Sequence, residues 1–393
     1  MNKILKHIPI IRDTNSSVIG LLAHVGSRNE SLRYRGISHF IEHLLFKGSK
    51  KRTCQQISQA IEQYGGVLNA FTSEEVTCYW MKIANDYLDY ALDVLTEFVQ
   101  NPIFDEKEIN KEREVIIQEL NMYKDNPVYY IWDLFNRIYF PQKHSLHFPI
   151  VGTPQTLYNI DKSIILDYYN QNYTHLTMLT IGKEPNKIYK NLLSPQVNNV
   201  SDSLTKNADI QGIFESRKNL SQANILIGNY VNTYGVLDYY YKFALLSEIM
   251  NDMSGRLFNT VREKNNLCYR IHFNYQFFKN KFVQWAVSIG LDTSQIKKAQ
   301  QLILSQLTKP ITENELIMAK QKYIGGLSLS LDNNYNLMNK IITIEQLGLS
   351  IDYNTILTDA KQYINNISLN EFLQFQKRLD FEDNLIVGVI PEK

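Results

Sequence analysis

The sequence predicts an α+β protein made of two homologous α/β-sandwich domains in tandem. Three observations predict it. At 393 residues the chain is too long for one simple domain and suits about two. Its two halves repeat one order of elements, strand, helix, helix, as a duplicated α/β unit would. Between them lies Leu193-Ser-Pro-Gln-Val-Asn-Asn-Val-Ser-Asp-Ser-Leu-Thr-Lys-Asn207, polar and rich in turn formers, which reads as a linker. The expected domains are therefore 1–190 and 208–393. Apolar residues make up 44% of the chain, enough for substantial cores.

In the first half, Ile61-Glu-Gln-Tyr-Gly-Gly-Val-Leu-Asn69 leads into a strand-like run, Val76 to Ile83. A helix is expected over Asp86–Phe98, followed by Asn101-Pro-Ile-Phe104 and an acidic helix from Phe104 to Glu119. In the second half, Val261 to Tyr269 leads into a strand over Phe282–Ile289, a helix over Ser294–Gln306, and Lys309-Pro-Ile-Thr312. Even Asp125-Asn126 has an echo in Asp332-Asn333.

Composition excludes several functions. There are 41 basic and 40 acidic residues, with no basic block, so nucleic-acid binding has no electrostatic support. No run approaches the length of a membrane span. The start, Met1-Asn-Lys-Ile-Leu-Lys-His-Ile-Pro9, lacks the apolar core of a signal peptide. Cys54, Cys78 and Cys268 show no paired spacing and read as reduced thiols. A cytoplasmic location is expected.

The chemistry is concentrated in Gly36-Ile-Ser-His-Phe-Ile-Glu-His-Leu-Leu-Phe46. On a helix, His39 and His43 lie one turn apart on one face, with Glu42 beside them. Two imidazoles suit a borderline-soft ion such as Zn²⁺ and leave room for a third ligand and a water. An adjacent carboxylate can take the proton of that water. The order His-x-x-Glu-His inverts the commoner His-Glu-x-x-His peptidase motif. A His pair alone is a weak signal, so a third ligand is needed. The acidic helix supplies a candidate. Asp105 suits its N-cap, and Glu106 and Glu108 suit its first turn. Glu108, Glu112 and Glu119 share one face, near Val115 and Ile116, and carboxylates on a semi-apolar face call for a positive partner. Glu119 is assigned as the third ligand, and Glu112 as the carboxylate that orients a ligand His or the water. The competing reading is a solvated acidic face balanced by Lys107, Lys111 and Arg113.

These residues resemble the insulinase/pitrilysin family of inverted-motif zinc peptidases, in its shorter two-domain branch, which includes the mitochondrial processing peptidases. The resemblance rests on Gly26-Ser-Arg-Asn-Glu30, Gly36 to Ser49, Gly65-Gly-Val-Leu-Asn-Ala-Phe-Thr-Ser73, Glu112-Arg-Glu-Val-Ile-Ile-Gln-Glu119 and Asp125-Asn-Pro127. The interval from His43 to Glu119 also fits the family. It covers most of 15–185 and, more loosely, 225–345. It implies one Zn²⁺ per chain on the first domain and a second domain without metal ligands. There, Phe243 to Met250 replaces the His motif, and Glu119 finds its counterpart near Gly325 or Gly326. It further implies that the two domains form one half of a clamshell, completed by a second chain as a homodimer or heterodimer.

By the same resemblance, Arg262 and Tyr269 form a pair that reaches the scissile region and stabilises a developing oxyanion or holds the peptide. Asn266 and Cys268 stand where the family usually has Gly and Ala. Arg256 is expected to be structural. Asn69, Ala70 and Phe71 are expected on a substrate-facing strand, to which a peptide adds through backbone hydrogen bonds; Asn69 reads equally as a turn residue after Gly65-Gly66. His144 and His147 lie in a loop-like stretch and are not taken as ligands. His7, His24, His175 and His272 show no partner in the sequence. The expected function is a zinc-dependent endopeptidase acting on peptides or unstructured leader segments. The rival is a non-catalytic scaffold or peptide-binding subunit of a related heterodimeric peptidase.

Overall fold

The computed structural model describes residues 4–173, 175–186, 202–207, 212–279 and 281–392. Of the expected linker, 193–201 lies outside the described residues. The chain forms two compact units. The first comprises residues 1–122, 148–201 and 330–346, and the second residues 123–147, 202–329 and 347–393.

The first unit is built on a five-stranded sheet of β1 (Ile4–Ile11), β2 (Ser16–Ala23), β3 (Val67–Thr72), β4 (Thr77–Ala84) and β5 (Leu176–Gly182), in the order β1-β5-β2-β4-β3. β1 and β5 run parallel, and the other neighbours are antiparallel. The second unit repeats this plan with β6 (Ile213–Arg217), β7 (Ala223–Asn232), β8 (Cys268–Phe278), β9 (Phe282–Leu291) and β10 (Leu385–Pro391), in the order β6-β10-β7-β9-β8. Here β6 and β10 are the parallel pair. The duplication read in the sequence is therefore a duplication of topology, and the fold is α+β with two tandem α/β domains.

Most expected elements are present with small shifts. The strands expected over 76–83 and 282–289 are β4 and β9. The helices expected after them are Leu88–Gln100 and Ile296–Thr308. The acidic helix runs Glu106–Asp125, and Asp105 Oδ1 accepts from the amides of Lys107 and Glu108 at 2.8 and 3.3 Å, as an N-cap does. The echo of Asp125-Asn126 in Asp332-Asn333 is also a matter of capping. Asn126 Oδ1 accepts from Val128 N at 3.0 Å before the helix Pro127–Tyr139, and Asn333 Oδ1 accepts from Tyr335 N at 2.8 Å beside the helix Asn334–Leu347.

The division into units differs from the contiguous halves 1–190 and 208–393. Residues 123–147 belong to the second unit, and 330–346 to the first. The reason is that a sheet has two faces to bury. In the first unit, Phe46 and Phe98 pack on Tyr79, on one face of β4, while the helix Asn334–Leu347 covers the opposite face. There Tyr335 meets Trp80 at 4.4 Å between rings, and a Cβ on Gly20 would come within 3.0 Å of Met338 Sδ. In the second unit, the helix Pro127–Tyr139 packs Leu134, Phe135 and Tyr139 against Leu226, Tyr230 and Val387. Its seat is pinned by Tyr230 Oη donating to Asn136 Oδ1 at 2.6 Å. Among the described residues no helix is long and apolar enough to cross a membrane.

Gly36 begins the helix Ile37–Leu45, at φ +93°, and a Cβ there would lie 2.6 Å from the carbonyl oxygen of Val151. Gly65 also has positive φ, +68°, but open space around it. Gly65→Ala should therefore cost only the left-handed backbone penalty, about 1–2 kcal/mol. Gly36→Ala should cost clearly more, because it adds a backbone clash. Urea unfolding of both variants checks the order.

Candidate metal centre

The helix Ile37–Leu45 is held at its start by a carboxylate. Gly36 has no side chain to cap with, and Glu30 takes that role, accepting from Gly36 N at 2.7 Å and Ser38 N at 2.8 Å. Burial pushes the Glu30 carboxyl up to about 7, against the pull of those two amides and Arg35. The segment carrying Glu30 is itself fixed. Ser27 N and Arg28 N bond the carbonyls of Ser73 and Glu74 at 3.1 and 2.8 Å, and the Arg28 guanidinium pairs with Glu75 in the interior. A Cβ on Gly26 would stand 2.3 Å from the Ser73 carbonyl oxygen, so only glycine permits this approach. Thus Gly26-Ser-Arg-Asn-Glu30 sets where the His helix begins.

His39 and His43 lie one turn apart and meet edge to face, with ring centroids 4.6 Å apart. Glu119 reaches them from the helix Glu106–Asp125. Its Oε2 lies 3.8 Å from His39 Nε2 and 3.5 Å from His43 Nε2. One ligand atom from each of the three falls within 4.8 Å of the others, and among the described residues this is the one such group of His, Cys, Asp or Glu. Ligands bonded tetrahedrally to zinc at about 2.0–2.1 Å stand roughly 3.4 Å from each other. The donor set of two imidazoles and one carboxylate therefore fits that ion. His39 Nδ1 is buried without a hydrogen-bond partner. Burial, with the neighbouring His43, pushes the His39 pKa down to about 3, so its ring stays neutral, the form that can ligate a metal.

Around these three sit two further carboxylates. Glu112 Oε2 faces His43 Nδ1 at 3.2 Å, while its Oε1 meets Lys47 Nζ at 2.7 Å. Burial raises the Glu112 pKa, but hydrogen bonds from His43 and Lys47 outweigh it, and the net shift is downward. Glu42 accepts from Thr72 Oγ1 at 2.5 Å, at the end of β3. Its pKa is raised, first by burial and only partly offset by the Thr72 hydrogen bond. Glu108, on the same helical face, pairs with Lys111 at 2.7 Å in solvent. The acidic stripe is thus divided: its first member is a solvated surface residue, and the other two approach the histidines. Val115, expected near a buried face, is 45% exposed, whereas Ile116 is fully buried.

Two family models match the chain. Residues 9–150 match Insulinase (Peptidase family M16), and residues 159–323 match the Peptidase M16 inactive domain. The chain belongs to the insulinase family, M16. Its relatives include an uncharacterized zinc protease of Bacillus subtilis, YmxG, 28% identical over 99% of this chain and 95% of that one. Another, from Rickettsia bellii, is 30% identical over 90% of each chain and is likewise called an uncharacterized zinc protease. Among solved structures, a protease from Helicobacter pylori superposes with a TM-score of 0.84 at 19% identity, over 98% of this chain and 97% of that one. At that identity the likeness concerns the fold.

The remaining residues singled out in this M16 chain fall in both units. Arg262 and Tyr269 do meet each other in the second unit. The guanidinium lies 4.8 Å from the centre of the Tyr269 ring and 4.5 Å from that of Phe258, with Glu263 Oε1 3.6 Å from Arg262 Nε. Arg262 sits in a π-helical turn, Phe258–Glu263, and Tyr269 is 78% exposed. Asn69, Ala70 and Phe71 lie in β3, an edge strand rather than a turn. The Asn69 side chain folds back on its own strand and accepts from Ala70 N at 2.8 Å. Arg256 is structural: it clamps Glu315 at 2.6 and 2.7 Å and donates to the carbonyls of Gln306, Lys309 and Pro310.

Five of the other histidines have partners in packing or hydrogen bonds. His144 stacks on Phe140 at 4.0 Å, and His147 Nδ1 lies 2.9 Å from the Phe140 carbonyl. His7 and His24 have partners invisible to a linear reading. They bond Thr180 and Thr177 of β5 at 2.8 and 2.9 Å, and His272 meets Asn251 at 3.5 Å. Sequence reasoning missed Lys47 and the specific role of Thr72. Lys47 lies one turn beyond His43, which was the available signal.

Thr72 supplies a test of the site's electrostatics. Its hydroxyl donates to the ionised form of Glu42, so Thr72→Val should raise the Glu42 pKa further. A carboxyl raised by folding adds stability below its unfolded pKa, and that contribution is lost as pH rises through the folded value. Titration of ¹³C-labelled glutamate carboxyls in the metal-free protein should show Glu42 titrating later in Thr72→Val than in the parent.

Proposed function

We propose that this chain is a zinc-dependent endopeptidase cutting peptides or unstructured leader segments, one Zn²⁺ per chain. The observation that carries the reading is the approach of Glu119 to His39 and His43, with Glu42 alongside, in a member of family M16. His39, His43 and Glu119 would hold the ion, and Glu112 would orient His43. When bound, zinc supplies Lewis-acid chemistry, polarising a carbonyl and acidifying a water. Glu42 takes the proton and later delivers it to the leaving amine. Thr72 holds one of its oxygens in place.

Substrate recognition is assigned to β3. Among the described residues its outer edge pairs with no strand, so an extended peptide can add there through its backbone. Such a peptide has to displace the Asn69 side chain from Ala70 N. Asn69, Ala70 and Phe71 are then substrate-binding, and folded proteins, whose strands are already paired, are poor substrates. The second domain, carrying Arg262 and Tyr269, would contribute to stabilising the oxyanion. The cytoplasm is the proposed location.

Glu42→Gln should keep stoichiometric zinc and the melting temperature but lose cleavage by about 10²–10⁴-fold. Metal analysis beside a peptide-cleavage assay checks it, and His39→Ala, which should lose the zinc, serves as the contrast. A rate within a few-fold of the parent would remove Glu42 from the mechanism.

We further propose that the working site is shared between two chains, as a homodimer or with a related partner, so that Arg262 and Tyr269 of one chain serve the zinc of the other. A homodimer would carry two equivalent sites. Mixing inactive Glu42→Gln protein with inactive Arg262→Ala/Tyr269→Phe protein should restore cleavage once subunits exchange, as followed by mass. Exchange without recovered activity would place the pair's action, if any, within its own chain.

A further inference from the structure

Lys47 has no role in the chemistry just described, yet it occupies a particular place. It lies four residues after His43, in the turn just past the motif helix Ile37–Leu45. Its amide closes the last turn by donating to Leu44 O at 3.0 Å. Gly48 follows with φ +145°, and the chain turns away into a bridge between Gly48 and Thr53. That turn leaves the Lys47 side chain on the same side of the helix end as His43. Both point at the same carboxylate. Lys47 Nζ is 2.7 Å from Glu112 Oε1, and His43 Nδ1 is 3.2 Å from Glu112 Oε2. The carboxylate is nearly buried, with 6% side-chain exposure, while Lys47 retains 28%.

We propose that Lys47 is a positioning residue of the metal site: its ammonium holds one oxygen of Glu112 so that the other accepts from His43 Nδ1–H, leaving His43 Nε2 open toward Glu119.

A carboxylate has two oxygens and can rotate to offer either, or both, to one donor. With Oε1 taken by Lys47, only Oε2 is left for the imidazole, and the plane of the carboxylate is set by two donors, one in the helix and one in the turn that ends it. An ionised carboxylate accepts and does not donate, so His43 carries its proton on Nδ1. The lone pair is then on Nε2, the nitrogen 3.5 Å from Glu119 Oε2. Partners of this kind fix the tautomer and ring orientation of a ligand histidine, and losing them typically costs 10–100-fold in metal affinity. Lys47 acts one step further out, through Glu112. The ion pair is also the one positive side chain at hydrogen-bond distance from the site's carboxylates among the described ion pairs.

This inference rests on the metal reading given above, and the experiment separates the two. Zinc affinity is measured by competition with a chromophoric chelator for the parent, Lys47→Met, Lys47→Arg, Glu112→Gln and the Lys47→Met/Glu112→Gln double variant. The His43 tautomer is read in the same zinc-free proteins from long-range ¹H–¹⁵N correlations. Lys47→Met should bind zinc about 10–100-fold more weakly, show His43 as a mixture of tautomers, and melt near the parent temperature. Lys47→Arg, which keeps a donor for Oε1, should recover most of the affinity. In the Glu112→Gln background, Lys47→Met should add little, because the two act in series. Lys47→Met binding within threefold of the parent with an unchanged tautomer overturns the proposal. So does an undiminished effect in the Glu112→Gln background, which would make Lys47 a general support of the fold. If Lys47→Met melts early, Lys47→Leu, which also lacks a donor, takes its place under the same criteria. A parent protein that binds no stoichiometric zinc overturns the metal reading instead, and the tautomer comparison still decides the role of Lys47.

Discussion

The approach of Glu119 to His39 and His43 is the contact on which the N-terminal unit turns. A carboxylate and two imidazoles placed this close and half out of water are costly unless something positive joins them or their protons are arranged. The unit therefore spends structure on holding them. Glu30 caps the start of the His helix, Gly26 and Gly36 allow the close backbone approaches that seat it, and Glu112 and Lys47 brace its far end. Glu42 is handled separately, by Thr72 at the end of an edge strand. Two elements distant in sequence thus bring two imidazoles and the Glu119 carboxylate together, with Glu42 on the same helix as the imidazoles.

The second unit shows the same sheet order, but among the described residues it has no cluster of candidate metal ligands, and its family model carries the name of an inactive domain. Topology alone does not make a site. Where the first unit has a His helix, the second has the apolar helix Val236–Met250, whose Phe243 is packed among Tyr275, Phe277 and Phe375. What it keeps on its surface is the stack of Arg262 between Phe258 and Tyr269, held on a π-helical turn of a kind often found at functional positions.

Much of the fold could be read in advance because it rests on local signals. Asp105 caps a helix by its own side chain, and Asn126 and Asn333 do the same at equivalent places in the repeat. The expected strands and helices fall within a few residues of those found. Misreadings came where burial depends on distant chain. Val115 lies beside a buried isoleucine yet faces outward. His7 and His24 gain threonine partners only through the pairing of β5 with its two neighbours.

By itself the sequence determined the chemistry of the candidate site and the duplicated plan. His39, Glu42 and His43 are set by helical periodicity, and Glu112 and Glu119 by the same periodicity on another helix, so each group is legible within a few turns. Tertiary structure decided how the groups divide their work and which helices belong to which core. Glu108 went to solvent and Glu112 to His43; Lys47 and Thr72 took partners 65 and 30 residues away from them in sequence. The helices Pro127–Tyr139 and Asn334–Leu347 each cover a sheet made mainly by the other half of the chain. Periodicity shows that a helix has an apolar face, but any apolar sheet face of suitable shape would satisfy it. Only packing in three dimensions selects which one does.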